Sequence, residues 1–194
     1  AEGILLVASF GASVITPFTN LMVNGDLTTA QVLQVFGLPA GLDLLSYDPF
    51  SSDANSAEAL AVQIVETNIM TIVKTIAAAA EGAGASQAAS FQVGMISVAK
   101  VARAKAANNE TISFSSDLDL VKIMTQAKEE LNILGTDDVA LNFGKIIDNN
   151  IKSIENVIST NRAASDSTVA VADVSTVFEL LSSSIADSSL YKYL

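Results

Sequence analysis

Three aspartates, Asp43, Asp48 and Asp53, recur five residues apart in and just after the stretch VFGLPAGLDLLSYDPF (Val35 to Phe50), with Asn55 beyond them. Carboxylate and amide oxygens gathered on a loop are the hard ligands that calcium takes. That makes Asp43, Asp48 and Asp53 the candidate metal ligands of this chain and calcium its one candidate cofactor. The alternating acids of an EF-hand loop occur nowhere in it. The same residues also fit a purely structural corner. Asp48 and Pro49 have the types of a cap and first helical residue, and Asp43 is suited to bonding nearby backbone amides.

Other chemistry is thinner. Histidine and cysteine are both absent, which removes His-based acyl-transfer triads, thiol nucleophiles and His/Cys zinc sites. Neither of the common phosphate-binding glycine motifs occurs. GAGAS (Gly82 to Ser86) follows a helical pattern rather than a strand, so it is expected to be a helix–helix turn. Glu129 with Glu130, and Asp117 with Asp119, are close neighbours on predicted helices and point in different directions, as solvated surface charge does. Glu66 also falls on a predicted helix and is expected at the surface. The basic cluster KVARAK (Lys100 to Lys105) lies near a helix C-terminus, where the dipole favours cations. Asn68 and Asn150 sit in or beside apolar stripes, as buried polar groups that fix register do. No catalytic residue and no cofactor-binding residue is assigned, and the chain is expected not to be an enzyme.

The elements that must position these residues are helical. The chain has 194 residues, half of them hydrophobic, with 16% charged. That is enough for one domain with a sizeable core, and too apolar for disorder. The net charge of −11 opposes nucleic acid and anionic membranes. No Lys or Arg precedes Lys74, so the first third is purely anionic. Gly3 to Ile15 is apolar but too short to span a bilayer and lacks the basic flank of a signal peptide. Opening at Ala1 rather than Met suggests a processed product or an excised piece.

The pattern predicts an all-α, multi-helix bundle: a short extended N-terminal segment over 3–15, two short helices, then about five longer ones. The first short helix has Thr16 as cap, Pro17 at its start and Gly25 at its end. The second has Thr28 as cap and Gly37 as its left-handed stop. Longer helices are expected over 56–81, with a shared face of Leu60, Ile64, Val65, Ile69, Ile72, Val73 and Ile76, and over 86–107. Others are expected over 117–133, including Leu118, over 137–161, capped by Thr136, and over 167–188. Residues 1–194 form one domain, with an irregular part (1–55) and a bundle (56–194).

The segment VITPFTNLMVNGDLTTAQVLQVFGLPAGLDLLSYDPF resembles a pattern, V-[VI]-[ST]-P-[LF]-T-x-L, a short helix, then L-G-L-P-x-G-x-D-L-x-x-[YF]-D-P. It is familiar from very large secreted bacterial surface proteins of the RTX-adhesin type, which carry calcium-binding repeats. The match covers Val14 to Phe50. Phe18 and Phe36 stand where leucine is usual and keep apolar bulk. The helices beyond Asn55 are similar only in composition. The resemblance implies an extracellular or cell-surface structural or adhesive module in a calcium-rich setting, and carries no catalytic residue. The expected partner is a protein or a second copy, through the apolar N-terminal segment, with no nucleic acid and no membrane insertion. The alternative is a helical carrier of a hydrophobic ligand.

Overall fold

The computed structural model describes residues 6–8, 10–51, 56–134 and 137–165. Among them are six helices: α1 (Pro17–Gly25), α2 (Thr29–Val35), α3 (Ser56–Gly82), α4 (Gln87–Ala107), α5 (Asp117–Leu134) and α6 (Asp137–Ser165). The chain is an all-α bundle of two short and four long helices over these residues. The helix expected over 167–188 and the cap Thr136 lie outside them.

Local chemistry sets the helix ends. Thr16 and Thr28 each close a capping box, with Thr19 and Gln31 answering from the third helical position. α2 stops where Gly37 takes φ 63°, and Leu38 N–H donates to Leu33 O at 2.9 Å. α3 stops in the same manner, with Gly84 at φ 107° and Ala85 N–H donating to Ala80 O at 2.9 Å. GAGAS is therefore a helix–helix turn. α1 ends differently from expectation. Its left-handed residue is Asp26, at φ 49°, rather than Gly25. Gly25 serves packing instead, since a Cβ there would lie 3.0 Å from Ala99 O of α4.

α4 is the hub. It packs against α1, α2, α3 and α5, and its buried residues, Phe91, Val93, Met95, Val98, Ala99, Val101 and Ala102 among them, cover most of its circumference, leaving a face of Gln92, Lys100 and Arg103 exposed. A helix buried over so wide a face is a core helix. Its approach to α3 is close enough that a Cβ on Gly94 would meet Val73 O at 2.8 Å. One core cluster runs from Phe18 of α1 to Ile147 of α6. Phe36 bridges Phe18 and Phe114, with ring centroids 6.0 and 5.8 Å away.

Three expectations need correction. Described residues before α1 form no strand. Gly11, at φ 92°, turns the chain, and the segment is held by Ser13 and Val14 N–H, both donating to Leu45 O. With no strand elsewhere among the described residues, it has no ladder to join. The stripe on α3 is also displaced in its first turns. Ala59 and Val62 are buried, whereas Leu60 and Ile64 are exposed. On α5, Leu120 is buried and Leu118 is not. In both places the buried face lies to one side of the expected one within the same turns, and spacing alone does not reveal which side a neighbouring helix covers.

Candidate functional site

The aspartates that opened the search sit on the corner between α2 and α3. Asp43 Oδ1 accepts from Leu45 N–H at 3.2 Å, and its Oδ2 accepts from Ser46 Oγ at 2.7 Å. Asp48 Oδ1 accepts from Phe50 N–H at 2.9 Å. Both are Asx-type turns in which the carboxylate satisfies its own loop. Asp53 lies outside the described residues. Among the described residues, no group of three acids, histidines or cysteines is placed to hold a metal ion.

The loop's apolar side chains anchor the corner. Leu44 is buried, and Leu42, Leu45 and Tyr47 pack on the core. Gln63 of α3 donates to Pro49 O at 3.3 Å, tying the corner to the bundle.

The charged residues expected at the surface are in part buried. Glu130 is 4% exposed and Asp119 5%. Both belong to a polar seam between α4 and α5. Lys100 Nζ reaches Glu130 Oε1 at 2.6 Å, and Gln126 donates to the same oxygen. Lys105 Nζ lies 2.8 Å from Asp119 Oδ1 and 3.2 Å from Glu110 Oε2, while Ser113 N–H donates to Asp119 Oδ2. The Asp119 hydrogen bond, helped by Glu110 and opposed by burial, holds the Lys105 ammonium above its ordinary pKa. So KVARAK is more than a dipole-matched helix end, because two of its lysines clamp α5 onto α4. Lys100, Lys105, Glu110 and Gln126 of this seam line a cleft of about 390 Å³ with Lys122 and Glu129. Lys100 and Lys105 already hold acids, so the seam is neutralised from within.

Glu66 departs furthest from expectation. It lies half-buried on α3 in a cleft of about 320 Å³, with Pro17, Met70 and Lys74 among the residues around it. Its Oε1 is buried without a hydrogen-bond partner, and burial raises its pKa to about 7. The Tyr47 hydroxyl is likewise buried without a partner. Its pKa is pushed up by burial and then by the nearby Glu58 charge. Asn68 is half-buried, and the Asn150 side chain lies outside the described residues.

Two groups of exposed apolar side chains stand out among the described residues. The first comprises Phe50, Leu60 and Ile64, with Phe10 and Ile15 on the segment before α1; Phe50 is 79% and Ile64 52% exposed. The bond from Ser13 to Leu45 O and that from Gln63 to Pro49 O hold these segments at the N-terminal end of α3. The second comprises Ile133, Leu134 and Leu141 at the corner of α5 and α6, with Ile133 73% and Leu141 59% exposed. Val139 of α6 lies against Gly84, which puts this corner at the C-terminal end of α3. At 1.5 Å per residue, the two surfaces are separated by about 30 Å of helix.

α3 carries one further property. By length and composition alone, Ala57–Gly82 is long and apolar enough to cross a membrane, with a mean hydropathy of 1.3. In the fold its buried face packs on α4.

Comparison with family models, with curated proteins and with solved structures finds no match for this chain.

Proposed function

We propose that this chain is a non-enzymatic structural module that self-associates end to end. The observation that carries the reading is the pair of exposed apolar surfaces at opposite ends of α3. Apolar side chains of this size, clustered and exposed, mark contact surfaces. The occupant of each is a second copy of the chain, and the charges favour unlike ends meeting. Phe50 and Ile64 are accompanied by Asp43, Asp48 and Glu58 with no base before Lys74. Two such ends facing each other would oppose like charges. Around Leu141, by contrast, exposed Lys145 stands one turn on beside Asp137, so this end is of mixed charge and opposes the anionic first end less than a second anionic end would. A contact between unlike ends is heterologous, so it propagates into chains or closed rings.

A secreted or cell-surface setting belongs to this reading. It rests on the resemblance of Val14 to Phe50 to modules of RTX-type adhesins, and the cysteine-free, acidic composition is compatible with it. Calcium bound at the Asp43–Asp48 corner would strengthen the first end by neutralising its charge.

Light scattering across a concentration series, with and without calcium, tests the proposal. The expected result is a mass that rises with concentration. A monomer throughout, in both conditions, refutes it.

A further inference from the structure

We propose that the pocket between α1 and α4 binds a single neutral sugar ring. It is distinct from the end-to-end contact and does not depend on it. The pocket is about 220 Å³ and is lined by three side-chain amides, Asn20 and Asn24 from α1 and Gln92 from α4. The apolar wall is Val7, Phe91 and Met95. Pockets for drug-sized ligands run from about 300 Å³ upward, so this one suits something smaller.

The amides are where an ordinary core would be apolar. Asn20 is 2% exposed and stands between the core residues Phe18 and Leu21 on α1. Burying an amide there costs free energy unless its bonds are made. Only part of that capacity is used. Asn24 Nδ2 donates to Asn20 Oδ1 at 2.7 Å and to Asn20 O at 3.0 Å. Those bonds orient both amides and leave Asn20 Nδ2 as donor and Asn24 Oδ1 as acceptor. Gln92 adds a donor and an acceptor, and neither is taken up by any described residue.

The lining therefore offers donors and acceptors together, and among the described residues no charged side chain lines the pocket. A carboxylate or phosphate brings only acceptors and an ammonium only donors, and each would enter without a counter-charge. Sugar hydroxyls both donate and accept, and the C–H face of the ring matches Val7, Phe91 and Met95. That pairing of a few convergent polar groups with an apolar wall is how small-molecule sites are built.

Saturation-transfer NMR on the full chain, followed by titration, tests this with glucose, galactose and mannose, and with glucuronate and glucosamine as charged counterparts. Binding of at least one neutral sugar is expected at millimolar concentration, with no transfer to the charged pair. Gln92→Leu removes one exposed amide, and Ala88→Leu fills the rim of the pocket from the exposed side of α4. Each should weaken binding about tenfold, as the loss of one or two hydrogen bonds does, without altering the helical circular dichroism. Absence of transfer from all three neutral sugars overturns the proposal. So does equal binding of the charged pair, or affinity unchanged in both variants.

Discussion

Glu66 is the residue whose chemistry departs most from its position on a surface-patterned helix. Its carboxyl titrates at about 7 in the fold against 4.5 ordinarily, because burial disfavours the anion. The folded chain then binds more protons than the unfolded one between those values. Stability must fall as pH rises from about 4.5 to 7 and stay flat above. A shift of this size corresponds to at most about 3 kcal/mol, which solvent access at a half-buried site reduces to about 1–2 kcal/mol. Glu66→Gln should raise stability by that amount at pH 8, and its urea midpoint should lose that dependence on pH. Lys105 differs in that its two acids favour its charged form. Its raised pKa also makes stability fall with rising pH, but only at alkaline pH, in the lysine range. Lys105→Met leaves Asp119 buried with Ser113 N–H as its remaining bond, and should cost about 3 kcal/mol at neutral pH. Chemical denaturation measures both. Little of this was legible in the sequence. Asp43 and Asp48 were, because Asx turns are local and their residue types announce them. Glu66, Asp119 and Glu130 were not. Their burial depends on which helices cover them, and the residue type at a helical position carries no sign of that.

At the scale of elements, α4 determines how closely the bundle packs. Gly94 lets α3 approach until a Cβ would sit 2.8 Å from Val73 O. Gly94→Ala gains about 1 kcal/mol of helix propensity and loses about 1–3 kcal/mol to overpacking against backbone. The net expectation is a destabilisation of up to about 2 kcal/mol, read from urea unfolding at constant m-value. A stabilised variant would mean that the two helices separate easily. Helix positions were largely legible, since Thr16, Thr28, Gly37 and the Gly82–Ser86 turn act through neighbouring residues. The buried faces were legible only where a helix is covered along its length. Leu60, Ile64 and Leu118 fit the helical period as well as Ile69 or Leu120 do, and they lie outward because the described neighbours cover the adjacent side of those turns, at Ala59, Val62 and Leu120. The segment before α1 misled for a related reason. Its composition suits a strand, but Gly11 turns it and no strand among the described residues pairs with it.

For the whole molecule, the central claim is that unlike ends meet. Single-end substitutions should each abolish assembly, because every contact needs one end of each kind. Exposed side chains are the right targets, since changing them to serine leaves the core untouched. Phe50→Ser with Ile64→Ser blocks the first end, and Ile133→Ser with Leu141→Ser blocks the second. The most direct measurement is sedimentation velocity on each double variant alone and on their equimolar mixture. The account predicts monomer for each alone and a heterodimer, with nothing larger, in the mixture. A double variant that dimerises by itself, or a mixture that stays monomeric while the unaltered chain assembles, would contradict it.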